Sequence, residues 1–220
     1  MNEELNKKGF IIIKSVFSVD QIEKMRQVSL DYFSNGGGFS NAGGFAKPDW
    51  VKVAELSSLL KEFDLNKMEK LISKYVGEDV CFIGHNDLHL NRSVGWHKDG
   101  LNGEARKYQI TSPWEVVEGE TMKIYKVNLY LQDHNSNEDG LTVRTGSHRF
   151  PKMERGAVEQ IKPSVGDVIL FDQRITHKAK WSGGYDRLLV CIGFGVKNIF
   201  FDEFKKGTEF RQNKQNGVKE

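Results

Sequence analysis

The residues best suited to chemistry are His97 and Asp99, two apart in Gly95-Trp96-His97-Lys98-Asp99-Gly100. In an extended chain, side chains two apart point to the same side, so an imidazole nitrogen and a carboxylate oxygen can aim at one point. A neutral imidazole with a carboxylate suits a divalent first-row metal. Two histidines and one carboxylate with open positions suit non-haem iron(II). A lone H-x-D is weak evidence, because most such triplets bind nothing. The rest of the chain must supply a third ligand and a reason for the metal.

Six histidines are present: His85, His89, His97, His134, His148 and His177. His177 is the best third ligand, because it follows the apolar run Val168-Ile169-Leu170-Phe171 by a few residues and can turn inward at its edge. His134 and His148 stand in polar turns and read as capping or solvent-facing. Arg187 heads an otherwise hydrophobic run, Leu188 to Phe194. A buried arginine needs an anionic partner. Its fork matches a carboxylate bidentately. That carboxylate is either a ligand's or a structural one such as Asp186 or Asp172.

These side chains need elements to hold them. Gly9-Phe10-Ile11-Ile12-Ile13-Lys14 reads as a strand, and Ser18-Val19-Asp20-Gln21 as a capping box opening a helix. The segment from Ser34 to Lys47 is glycine-rich, with Phe39 and Phe45 between the glycines. It reads as a mobile loop, with room for a lid. Val51 to Phe63 has helical periodicity, and Asn66 to Val76 a second helix ended by Gly77. From Asp79 the period changes to two. Val80 to Asn91 is a long strand with His85, Asp87, His89 and Asn91 on one face, which is costly unless something binds there or water reaches it. Ile124 to Gln132 is an alternating strand carrying Asn128. The strands Leu141–Arg144, Val168–Asp172 and Arg187–Phe194 follow. Helices crowd the first third and short strands fill the rest, an α+β arrangement with helices bracing a sandwich or barrel.

The 220 residues fit one domain with a real core, and the net charge of +2 gives no field favouring nucleic acid or membrane. Lys205 to Lys219 reads as a solvated, frayed tail. Cys81 and Cys191 read as small buried hydrophobes. The start lacks the apolar core of a signal peptide, and no apolar run approaches a membrane span of roughly 20 residues. The expectation is a soluble, cytoplasmic protein acting on a small molecule.

In order, His97, Asp99, His177 eighty positions on, and Arg187 resemble the Fe(II)/2-oxoglutarate dioxygenases, specifically the phytanoyl-CoA dioxygenase family. The resemblance covers nearly the whole chain. It includes the opening strand and helix, and Tyr130-Leu131-Gln132-Asp133 followed by Gly140 to His148, where a proline commonly stands at Thr145. Gly166 to Asp172 leading to His177 completes it. The resemblance implies a double-stranded β-helix (jelly-roll, cupin-like) over 79–200, helical bracing over 1–78 and a polar tail over 201–220. His97, Asp99 and His177 would hold Fe(II), and Arg187 the distal carboxylate of 2-oxoglutarate. Asn128, His89 and Asn91 would assist. With O₂, a substrate C–H would be hydroxylated while 2-oxoglutarate becomes succinate and CO₂. Related halogenases carry a small residue where Asp99 stands, so hydroxylation, desaturation or ring closure is favoured here. Charged and aromatic residues between Leu101 and Lys123, with Lys98 and Arg144, would line the mouth and suit a polar or anionic metabolite. Two other classes remain: a β-helix binding module that has lost its chemistry, against which the intact set with Arg187 argues, and a zinc hydrolase using His97, Asp99 and His177, which gives Arg187 no special role.

Overall fold

The computed structural model of the protein describes residues 2–99, 107–133 and 139–217. The chain opens with helix α1 (Glu3–Lys8), strand β1 (Phe10–Ile13) and helix α2 (Val19–Ser34). The capping box is formed: Ser18 Oγ accepts from Gln21 N at 3.2 Å, and Gln21 Oε1 accepts from Ser18 N at 3.1 Å. The expected single helix over 51–63 is interrupted. Two 3₁₀ turns, Trp50–Lys52 and Ala54–Leu56, precede α3 (Ser57–Phe63). The break falls at Val53, which is extended, and it lets Trp50 bury completely against Phe63. Helix α4 (Leu65–Val76) is capped by Asp64, two residues earlier than Asn66, and ends at Gly77 with φ +80° as its left-handed C-cap.

The glycine-rich segment is a β-hairpin and not an irregular loop. Strands β2 (Phe39–Asn41) and β3 (Gly44–Pro48) are joined through Ala42 and Gly43, both with positive φ. Such a turn matches the twist of two paired strands. Gly44 has no room for a side chain, since a Cβ would lie 2.1 Å from the Leu90 carbonyl. The remaining strands are β4 (Cys81–Leu90), β5 (Val94–His97), β6 (Ile124–Tyr130), β7 (Gly140–Arg144), β8 (Val158–Gln160), β9 (Val168–Asp172), β10 (His177–Lys180) and β11 (Leu188–Gly195).

Among the described residues the strands form two antiparallel sheets, ordered β1-β9-β6-β11-β4-β3-β2 and β5-β10-β7-β8. Alternation along the large sheet divides its side chains. Leu88, Val127, Leu129, Leu170, Val190 and Ile192 face the helices and join Phe17, Met25, Trp50, Phe63 and Ile72 in the main core. Tyr130, Ile169, Phe171 and Leu189 face Leu141, Val143 and Ile175 of the smaller sheet. This sandwich is the double-stranded β-helix expected from the sequence, with the α+β class unchanged. The bracing role of residues 1–78 is shared with the sheet itself, because β1, β2 and β3 are strands of it.

Residues 199–215 correct the expectation of a frayed tail. They form helix α5 (Ile199–Gln215), capped by Asn198. Its buried stripe of Phe200, Phe201, Phe204 and Thr208 packs onto Ile83, Met122 and Ile124, so it gains apolar burial that a solvated tail lacks. No described helix is long and apolar enough to cross a membrane.

Asn86 joins the sheet to the helical layer. It is fully buried, donates to Asp49 Oδ1 at 3.2 Å and Gly84 O at 2.8 Å, and accepts from Val51 N at 3.1 Å. Asn86→Ala strands several of these groups. It is expected to lower unfolding free energy by about 2–4 kcal/mol. Urea denaturation should show a lower midpoint with an unchanged slope.

Candidate metal centre

Strand register brings the two best ligands together. His177 begins β10 directly opposite His97, the last residue of β5, and their ring centroids lie 4.2 Å apart. Asp99 follows in the turn. Its Oδ1 is 3.3 Å from His97 Nε2 and its Oδ2 3.5 Å from His177 Nε2. One donor atom from each residue lies within 4.8 Å of the others. Each imidazole is oriented by its other nitrogen: His97 Nδ1 faces Gly95 O at 2.7 Å, and His177 Nδ1 faces Ile175 O at 3.0 Å. A proton on Nδ1, donated to the carbonyl, leaves the Nε2 lone pair directed at the shared point. Two imidazole nitrogens and a carboxylate oxygen so placed fit a divalent first-row metal.

Lys98 is not at the mouth. Alternation sends it to the opposite side from its neighbours, where it is 1% exposed and donates to Ser147 O at 2.7 Å and Arg174 O at 2.6 Å. Burial pushes its pKa down to about 8. Arg144 also points away, stacking on Trp96.

Lys126 is the cation that sequence reasoning missed. It is buried on β6, with Nζ 2.5 Å from Asp99 Oδ2. Its phase was legible, since it shares the face of Asn128 on an alternating strand. Burial is the largest single influence and opposes ionisation of Asp99, but Lys126, His177 and His97 together outweigh it and hold the carboxyl well below the usual range. Burial pushes His177 down to about 4, with the nearby His97 acting in the same direction, so it is neutral at pH 7.

The same cavity receives Arg187, which is 2% exposed. Its Nη1 donates to the Arg92 carbonyl, and its guanidinium lies 5.5 Å from the Tyr130 ring centroid. Neither structural acid expected as its partner serves. Asp172 pairs with Arg174 at 2.6 Å, and Asp186 accepts from Asn91 Nδ2 at 3.1 Å. Among the described residues no carboxylate lies within 4.0 Å of Arg187, in contrast to the salt bridges that other arginines make. Asn128 and His89 also line the cavity, and the buried Asn128 Oδ1 has no hydrogen-bond partner among the described residues. Asn91 does not reach the lining. It occupies a left-handed turn (φ +58°), where its Oδ1 accepts from Arg187 N at 2.7 Å and so secures Arg187 from behind.

The polar face of β4 is inward, as its cost required. Asp87 accepts two-pronged hydrogen bonds from Arg211 of α5 at 3.0–3.2 Å. His85 Nε2 is 3.4 Å from Asp87 Oδ2, and burial, then Lys126 and Arg211, push His85 down to about 3. His148, read as solvent-facing, is buried, with Nε2 3.1 Å from Asn6 O. The expectations for His134, and for the mouth residues Leu101, Glu104 and Arg106, lie outside the described residues. Within the rest of that mouth, Trp114 Nε1 donates to His148 O at 2.9 Å.

No family model matches the chain, nor does the sequence of any curated protein. Solved structures do match. AviO1 from Streptomyces viridochromogenes Tue57 aligns with TM-score 0.68 and 18% identity over 88% of this chain and 92% of that one. The non-haem alpha-ketoglutarate dependent epimerase SnoN, from nogalamycin biosynthesis, aligns with TM-score 0.66 and 14% identity over 87% and 78%. HygX from Streptomyces hygroscopicus, crystallised with nickel and 2-oxoglutarate and separately with hygromycin B as well, aligns in the first form with TM-score 0.64 and 20% identity over 88% and 85%. At these identities the likeness is one of fold.

The Lys126–Asp99 pair yields a test in metal-free protein. Asp99→Ala leaves a buried ammonium without its counter-charge and is expected to cost about 3–5 kcal/mol. The double variant Asp99→Ala/Lys126→Met should recover most of that loss. Urea melts in the presence of a chelator measure both.

Proposed function

We propose that the protein is a non-haem iron(II) oxygenase that uses 2-oxoglutarate and O₂ to hydroxylate a small polar metabolite, with release of succinate and CO₂. The observation that carries this reading is the convergence of His97, Asp99 and His177 in one cavity with Arg187, a buried guanidinium with no carboxylate within 4.0 Å among the described residues. The fold shared with SnoN and HygX supports the class.

His97 Nε2, Asp99 and His177 Nε2 would hold the metal, with Lys126 retaining Asp99 Oδ2 and leaving Oδ1 as the donor. When bound, iron(II) with 2-oxoglutarate and O₂ supplies oxidative decarboxylation and the means to break a C–H bond. Arg187 would receive the distal carboxylate, the bidentate partner its fork is shaped for. Asn128 and His89 would form the polar wall beside it. Asp87, Arg211 and His85 line the cavity too, and a wall so rich in donors and acceptors suits a polar substrate better than an acyl chain. Asp99 fills the position that a halide would need. Epimerisation, the named activity of SnoN, also begins by removing hydrogen from carbon, so product analysis decides between outcomes.

Anaerobic addition of Fe(II) and then 2-oxoglutarate should produce a weak visible absorbance band only when both are present. His97→Ala should abolish it. Arg187→Gln should raise the 2-oxoglutarate needed for half the signal by about ten- to a hundredfold, the worth of a charge-assisted contact. Bound iron with no band would reject this reading in favour of a binding module or a hydrolase.

A further inference from the structure

A second guanidinium occupies the Arg187 end of the cavity. Arg92 stands two residues beyond β4, and its backbone carbonyl accepts from Arg187 Nη1, so the two residues are in direct contact. Both side chains line the cavity, and the Nε of each is buried without a hydrogen-bond partner among the described residues. The rest of the Arg92 fork is held by neutral groups. Its Nη1 lies 2.5 Å from His89 Nε2, and its Nη2 donates to Asn41 Oδ1 at 2.7 Å. Burial, then the charge of Arg92, keeps His89 neutral, so it is an acceptor here and not a third cation. Asn41 closes β2, so the glycine-rich hairpin is anchored to this fork.

The charges in the cavity pair off unevenly. Asp87 is matched to Arg211 and Asp99 to Lys126. Arg92 and Arg187 remain, and among the described residues neither has a carboxylate within 4.0 Å. Two guanidiniums in one cavity, on residues that touch through the Arg92 carbonyl, repel each other and call for an anion. Burial pulls Arg92 below the ordinary arginine pKa; Asp87, already matched to Arg211, opposes this, and Arg211 and Arg187 add to it.

We propose that Arg92 and Arg187 form a two-guanidinium clamp on a single carboxylate, the distal one of 2-oxoglutarate, with His89 and Asn41 as positioning residues for the Arg92 fork. The proposal rests on the co-substrate reading given above. A carboxylate on the substrate offers the same chemistry, and the test separates the two sources.

Manganese(II)-loaded protein, free of oxygen, is titrated calorimetrically with 2-oxoglutarate and with pyruvate, which keeps the 2-oxo acid but lacks the second carboxylate. The unaltered protein should prefer 2-oxoglutarate. Arg92→Gln should weaken 2-oxoglutarate by about ten- to a hundredfold and leave pyruvate within about twofold. Arg92→Lys should recover part of the loss, and Asn41→Ala should show a smaller loss for 2-oxoglutarate alone. If Arg92→Gln and Arg92→Lys both bind 2-oxoglutarate like the unaltered protein while Arg187→Gln does not, the clamp is wrong and Arg92 belongs to the substrate or the scaffold. If the unaltered protein shows no preference for 2-oxoglutarate over pyruvate, the co-substrate reading itself falls. Circular dichroism and thermal melts establish that each variant is folded, and Arg92→Lys keeps the test open should Arg92→Gln fail to fold.

Discussion

The centre depends on the pairing of β5 with β10, which sets His177 across from His97. Slipping an antiparallel pair by one residue sends every side chain to the other face. Such a slip would leave one imidazole inside and the other out. Several contacts resist it. On its other side β10 pairs with β7, His177 against Val143. Thr176 N donates to Ser147 Oγ at 2.8 Å, fixing the residue before the ligand. Lys98, between His97 and Asp99, reaches Ser147 O and Arg174 O, so the H-x-D turn is tied to the approach to His177 and to the same Ser147 that holds Thr176.

Within that frame, the interior is organised by charge. Water does not screen a buried ion, so each must be matched, neutralised or reserved for a ligand. Lys126 and Arg211 match Asp99 and Asp87. His85, His89 and His177 are kept neutral chiefly by burial. The two arginines left over, Arg92 and Arg187, line the same cavity and touch through the Arg92 carbonyl. The candidate metal ligands and the proposed anion site therefore share a cavity without sharing counter-charges.

Much of this was legible in the sequence, and what was not shares a physical cause. The pairing of His97 with Asp99 was legible from their spacing of two, although Asp99 lies in the turn just past β5. Period two put His85, Asp87 and His89 on one face of β4 without deciding whether that face was inward. Arg187 stood out because a charge interrupts an apolar run. The same reasoning failed for Asn91, since alternation stops where the backbone turns to positive φ and the side chain is redirected to Asp186 and Arg187 N. It failed for the glycine-rich segment because hairpin pairing depends on a partner strand that composition does not reveal. For α5, the phenylalanines carried a helical stripe, but charged residues between them masked it. Arg211 could not be matched to Asp87 across 124 positions by any local rule. His148 looked solvent-facing in a polar turn, yet the backbone at Asn6 covers it.

The placement of β1 bears on how the chain reaches this state. Its only strand partner among the described residues is β9, and Lys14 is held by Asp167, 153 positions away. On a ribosome, the apolar run Phe10 to Ile13 therefore emerges long before the strand that completes it. Pairings so distant in sequence close slowly, and an exposed apolar strand is open to wrong partners meanwhile. Helix α1 packs beside β1, and its Gly9 cap turns the chain sharply into the strand. That local structure can form early. The interval before β9 arrives is then the point in biogenesis at which this protein most needs protection from aggregation.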